Sequence, residues 1–226
     1  MNKVLVLAPH ADDEVLGCGG TIAKHVANGD EVYVAVMTNA SIGAPELFSK
    51  EQIASIRTEA NAAHNLLNIK ETFWFDFPAP KLEQYPQYKI AKTIGELINN
   101  TKANILYIPH KGDLHMDHGA IYNAALVAAR PIPGQSVKQI YAYETLSETE
   151  WGHPTVDAVF IPNRFSVLES DHFSAKIEAM TLFESQLMPF PNTRSIDTIT
   201  HLASLRGSTV GVEFAECFMV VREIYN

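Results

Sequence analysis

"KVLVLAPHADDEVLGCGG", residues 3–20, decides what kind of fold the chain builds. Its first six residues mix valine and leucine and stop at Pro9, as a buried parallel strand does. A charged turn follows, with His10, Asp12, Asp13 and Glu14 packed into it. Val15, Leu16, Ile22 and Val26 then recur at a helical period that Gly29 closes. Strand, turn and helix in this order form the opening unit of an α/β fold.

The unit recurs downstream. "EVYVAVMT" (31–38) reads as a second strand, and 49–69 as an amphipathic helix with Ser49 and Gln52 placed for a capping box. "TFWFDF" (72–77) is a third strand, ended by the turn at Pro78–Pro80. A helix at about 86–100, a strand at 104–109, a helix at about 117–129 and a strand at 139–145 continue the series. Strands alternating with helices imply right-handed crossovers and a mostly parallel sheet. The last third is less regular: the pattern predicts a strand near 157–161, helices near 171–187 and 196–206, and a final strand over 215–224. No repeat, linker or low-complexity tract breaks the chain, so one domain over 1–226 is expected.

Bulk composition narrows the functional classes. Lys and Arg total 17 against 26 Asp and Glu, a formal net charge of −9, which gives a nucleic-acid-binding surface little support. Cys18 and Cys217 form no framework, which suits a reducing cytoplasm. The opening apolar run is too short for a signal peptide, and no stretch approaches the roughly 20 apolar residues of a membrane span. A soluble cytoplasmic protein is the expectation.

In open parallel sheets, ligands bind beyond the carboxyl ends of the strands. His10, Asp12 and Asp13 follow the first predicted strand there, and His110, Asp113, His115, Asp117 and His118 follow the fourth. Neutral imidazoles with a carboxylate suit Zn²⁺, and catalytic zinc keeps three protein ligands with one position open. A set such as His10, Asp13 and His118 meets that need and leaves Asp12 to take a proton from an acidified water. Loop Asp and His residues also cap helices, and Asp12 or Asp13 could do so here. Two such clusters at two strand ends weigh against capping as the whole explanation.

At these residues the chain resembles a known family. "PHADDEVLGCGG" is similar to the P-H-x-D-D-E…G-G signature of the PIG-L/LmbE-like zinc N-deacetylases, and "HMDHG" (115–119) to their H-x-D-H motif. "IRTEANAAHNLLNI" (56–69) resembles the family's R-x-x-E-A helix, and "GVEFAECF" (211–218) its late A-E-x-F segment. The resemblance implies a Rossmann-like α/β fold, a mostly parallel sheet with helices on both faces, and removal of an acetyl group from an N-acetylglucosamine-type conjugate. It makes His10, Asp13 and His118 the Zn²⁺ ligands and Asp12 the general base. His115 would stabilise the oxyanion, with Asp117 holding its ring. Arg57 would sit near the substrate, and a homo-oligomer, trimer or hexamer, is implied. Ala11 and Met116 stand where the family often has proline, which removes no side-chain chemistry but loosens both turns.

The remaining singled-out residues carry weaker signals. Gly17, Gly19 and Gly20 could form a phosphate nest, but close helix–sheet packing fits better because no complete phosphate-loop motif is present. Asp76 reads as a turn residue or a sugar-hydroxyl acceptor, and Arg194, in a proline-rich loop, as a loop charge or an anion contact. His110 and Asp113 read as groups behind the second cluster. Glu14 suits the first turn of a helix through the macrodipole. His25, His64 and His201 read as structural, and Glu216, inside an apolar strand, as half of an ion pair. Metal-dependent phosphohydrolysis, hydrolysis of a non-sugar amide, and non-catalytic sugar or metal binding remain as alternatives.

Overall fold

The computed structural model describes residues 1–225. Its elements are β1 (Lys3–Ala8), α1 (Asp13–Ala27), β2 (Glu31–Asn39), α2 (Ala40–Gly43), α3 (Lys50–Leu66), β3 (Glu71–Pro78), α4 (Gln87–Thr101), β4 (Ile105–Pro109), α5 (Met116–Ala128), β5 (Gln139–Tyr143), β6 (Arg164–Leu168), α6 (Ser170–Thr181), α7 (Ile196–Thr209) and β7 (Phe214–Glu223). A short 3₁₀ turn, Leu82–Gln84, precedes α4.

The strands form one seven-stranded sheet in the order β3-β2-β1-β4-β5-β7-β6. The first five in sequence pair in parallel, and β7 runs antiparallel between β5 and β6. Strand order reverses between β1 and β4, so a crevice opens where those two strands end. That is where the sequence put its two polar clusters.

Both faces of the sheet are covered, and β1 shows how. Val4, Val6 and Ala8 pack with residues of α1, α3, α6 and α7, whereas Leu5 and Leu7 pack with α4 and α5. Alternation of side chains along a strand sends successive residues to opposite faces, so a strand buried on both sides reads as continuously apolar. Among the described residues no helix is long and apolar enough to cross a membrane.

The glycines of α1 serve packing. A Cβ on Gly17 would lie 2.3 Å from the Tyr143 ring, and one on Gly20 would lie 2.4 Å from Leu168. Tyr143 is fully buried and donates its hydroxyl to Leu7 O at 2.8 Å, so it has no room to retreat. The capping box at α3 is present, with Gln52 N donating to Ser49 Oγ and Ser49 N to Gln52 Oε1.

Two expectations need correction in the irregular regions, and one short helix was not expected. Residues 157–161 form turns and irregular chain; the strand lies at Arg164–Leu168, where the backbone finds β7 to pair with. The helix begun at Ser170 ends at Thr181, because the chain turns there and drives Phe183 into the core. The short helix α2, which no periodicity announces, is capped by Asn39, whose side chain accepts from Ser41 N at 3.0 Å.

Candidate metal centre

Between β1 and α1 the chain makes an abrupt turn. Asp12 adopts φ 126°, a conformation that L-residues rarely take and that typically costs about 1–3 kcal/mol. Neither carboxylate caps α1 in the expected way. Asp12 stands at the cap position without a capping side-chain bond, while Asp13 Oδ2 accepts from His10 N at 2.8 Å. The strained turn aims the two neighbours differently: Asp13 is buried against histidines, and Asp12 lines an open cleft.

Asp13 is the hub of the first cluster. Its Oδ2 lies 3.3 Å from His10 Nδ1 and 3.3 Å from His118 Nε2. One ligand atom from each of His10, Asp13 and His118 falls within 4.8 Å of the others, so the three can share a metal ion. Two buried atoms here make no hydrogen bond, Asp13 Oδ1 and His118 Nε2, the latter meeting only the 3.3 Å approach of Asp13 Oδ2. Unsatisfied buried polar atoms are costly, and a cation held between them would satisfy both.

The outer nitrogens of both histidines are taken. His10 Nε2 meets Asp117 Oδ2 at 3.2 Å, and His118 Nδ1 meets Asp113 Oδ2 at 2.8 Å. Asp117 Oδ1 in turn accepts from Leu82 N, and Asp113 Oδ1 from Thr149 Oγ1. Metal-ligating histidines characteristically hold such a carboxylate partner, which fixes the ring and raises its basicity. The residues therefore fit a metal ion of the kind that takes imidazole and carboxylate ligands.

Electrostatics agree. Burial alone would push the His10 imidazole down, yet its hydrogen bonds to Asp117 and Asp13 raise it to about 9. His118 is likewise opposed by burial and lifted to about 10 by Asp13 and Asp113. Burial disfavours the Asp13 carboxylate, but His118 and His10 hold it well below the usual range. The carboxylates of Asp13, Asp113 and Asp117 thus favour positive charge on the groups between them.

His115, at the start of α5, faces the same centre with its ring 4.4 Å from that of His10. Burial and the nearby His10 push its imidazole down to about 4. The structure revises its expected partnership: Asp117 Oδ2 is 3.9 Å from His115 Nδ1, and Asp117 touches that nitrogen through its backbone N–H instead. Its carboxylate serves His10. His115 also leaves a second ligand grouping possible on paper, with His10 and Asp117, although hydrogen bonding accounts for those contacts.

A cleft of about 380 Å³ opens over these groups. Its polar side carries His10, Asp12, His115, Glu148 and Arg194, and its apolar side Phe48, Ile53, Ile56 and Trp74. Arg194 Nη1 donates to Asp12 Oδ2. Burial pushes the Asp12 carboxyl up to about 7, against the opposing pull of Arg194. Arg57 also lines the cleft, lies over the Trp74 ring at 5.2 Å and donates to Asp76 Oδ1 at 2.7 Å. Asp76 does not line the cleft; Arg57 and Asn39 Nδ2 both donate to it, so it holds an arginine in place.

Other singled-out residues resolve as follows. His110 Nε2 meets Ala158 O at 2.7 Å and ties down a loop. Glu216 pairs with Lys176 at 2.6 Å in a buried bridge, as an ion pair was expected to do. Glu14 stands in the first turn of α1, as expected, and is fully buried there, where it meets His64 Nε2 at 2.8 Å. Glu148 escaped the sequence reading altogether. It accepts from His115 N at 3.0 Å across a separation that no local pattern announces.

The family described as PIG-L: GlcNAc-PI de-N-acetylase matches residues 5–129. The chain is 26% identical to the "Uncharacterized deacetylase YaiS" of Escherichia coli, over 80% of this chain and 90% of that protein. It is 30% identical to a "Probable N-acetyl-alpha-D-glucosaminyl L-malate deacetylase 2" of Bacillus cereus, over 68% of this chain and 73% of that protein. Among solved structures, the 4-carboxy-2-hydroxymuconate hydratase GalB of Pseudomonas putida KT2440 superposes with TM-score 0.75 at 19% identity, covering 100% of this chain and 98% of that one. The last likeness concerns the fold alone, and it leaves the reaction to be argued from the site.

Proposed function

Since the chain belongs to the PIG-L (GlcNAc-PI de-N-acetylase) family, we propose that it is a zinc-dependent N-deacetylase acting on an N-acetylglucosamine-type conjugate. The observation that carries this reading is the pair of partnerless atoms, Asp13 Oδ1 and His118 Nε2, beside histidines whose other nitrogens meet carboxylates. Imidazole-rich sets favour zinc over magnesium, which also argues against the phosphohydrolase alternative.

In this reading His10, Asp13 and His118 hold the metal. Zinc bound there would polarise the amide carbonyl and make a water acidic near neutral pH. Asp12, on the cleft side, takes the proton of the attacking water. His115, a neutral imidazole with one N–H, donates a hydrogen bond where negative charge develops on the former carbonyl oxygen, and Asp12 passes the proton it took from the water to the departing amine. Asp113 and Asp117 keep the two ligating rings oriented. Arg57 and Arg194, both on the cleft, would meet hydroxyl, carboxylate or phosphate groups of the conjugate. The buried thiols Cys18 and Cys217 suit a cytoplasmic setting. A homo-oligomer would bury the groove between α4 and α5, where Tyr88 and Met116 are exposed.

The test is a screen of zinc-loaded protein against N-acetylglucosamine conjugates and simple phosphoesters. Acetate release that a chelator abolishes is the expected result. Phosphate release without acetate would replace this reading with the phosphohydrolase.

A further inference from the structure

Behind the cleft runs a line of buried and half-buried polar groups that the proposed chemistry never touches. Thr72, on β3, meets His64 Nδ1 through its hydroxyl at 2.9 Å. His64, on α3, meets Glu14 Oε1 through Nε2 at 2.8 Å. Glu14 Oε2, on α1, accepts the backbone N–H of Asp12 at 3.1 Å. Glu14 is fully buried and His64 nearly so. Three separate elements therefore converge on one amide.

We propose that Glu14 is a positioning residue for the deacetylation: anchored by His64 and Thr72, it locks the backbone of Asp12 so that this carboxylate faces the cleft. The inference rests on the function proposed above, in which Asp12 takes the proton.

Asp12 explains the need. At φ 126° its backbone lies where an L-residue does not stay unaided, and conformations of this kind persist only when their surroundings over-determine them. Its carbonyl is fixed by the first turn of α1, accepting from Val15 N and Leu16 N. Its N–H has no such partner in the helix and is met by Glu14 alone. Without that acceptor, the turn can relax toward an ordinary backbone conformation. Asp12 would then rotate away from the cleft, while Asp13, held separately by His10 N and the histidine rings, would remain.

His64 gives the device stiffness. A lone buried glutamate could swing among rotamers, but a histidine pinned at both nitrogens leaves Glu14 one orientation. The same ring stacks at 6.2 Å on Trp74, so the support also backs the apolar wall of the cleft. A glutamine at position 14 could still accept from Asp12 N and bond His64 in its other tautomer. An alanine could do neither.

The experiment compares wild type, Glu14→Ala, Glu14→Gln, His64→Ala and the Glu14→Ala/His64→Ala double variant, all zinc-loaded. It reads kcat and KM, metal content, Tm and amide hydrogen exchange of the segment holding Asp12. For Glu14→Ala the expected result is a kcat loss of tenfold or more, with KM and metal content little changed and faster exchange at Asp12. Glu14→Gln should recover most of the rate, and the double variant should be little worse than Glu14→Ala. A Glu14→Ala enzyme with wild-type kcat, or one that loses rate only in proportion to lost metal or folded protein, overturns the proposal. So does unchanged exchange at Asp12, a readout that stands even if the wild type releases no acetate and the proposed function fails.

Discussion

Arg194 donates from Nη1 to Asp12 Oδ2, so the carboxylate that faces the cleft meets a guanidinium carried by a loop 182 residues away in sequence. The sequence leaves Arg194 as a loop charge or an anion contact, and the anion it contacts here belongs to the protein. Burial raises Asp12 and Arg194 opposes that rise. Arg194→Ala should therefore raise the Asp12 carboxyl further, leaving less of it ionised at neutral pH. The acid limb of the kcat/KM profile should move to higher pH. An unmoved limb would separate Asp12 from the ionisation that governs the rate.

Asp12 and Asp13, adjacent in sequence, should fail differently. Asp12→Asn removes the proton acceptor and leaves the ligand set whole, so kcat should fall by roughly 10²–10⁴ while zinc stays bound. Asp13→Ala removes the hub between His10 and His118 and should lose both metal and activity. His115→Ala should lower kcat by about 10²–10³ and keep the metal. Metal analysis beside steady-state kinetics separates the three.

Asp117 discriminates between two arrangements. If its carboxylate served His115, Asp117→Ala would lower the rate and spare the metal. The structure gives that carboxylate to His10 instead. Asp117→Ala and Asp113→Ala should each weaken zinc affinity by about 10–100-fold in a competition titration with a chelator.

Gly17 tests the packing of α1. A methyl group there meets the buried Tyr143 ring, and overpacking of this kind costs about 1–3 kcal/mol, partly offset by the better helix propensity of alanine. Gly17→Ala should lower Tm, whereas Gly95→Ala, with open space around it, should leave Tm level or raise it.

Much of this was legible in the sequence because the signals were local. Val4–Ala8 declares a strand buried on both faces, and Ser49 with Gln52 declares the start of α3. His10, Asp13 and His118 could be joined because the ends of parallel strands meet at one edge of the sheet. What stayed hidden depends on pairs distant in sequence. Glu148 reaches His115 N from a loop without periodicity, and the Asp117 carboxylate picks His10 by geometry that residue spacing cannot encode. Glu14 could be placed in the first turn of α1, but not paired, because its partner, His64, sits 50 residues away on another helix. The strand expected at 157–161 failed for a similar reason. Ile161 at its end is 60% exposed, and a strand forms only where an edge of β7 accepts it.

On the proposed function, the hydrolysis of an N-acetyl amide depends on a zinc ion held by His10, Asp13 and His118. The most direct measurement strips the purified protein of metal, returns zinc stepwise, and follows bound metal and acetate release from an N-acetylglucosamine conjugate together. Activity should rise with occupancy and level off at about one zinc per chain. A stripped protein as active as the zinc-loaded one would contradict it.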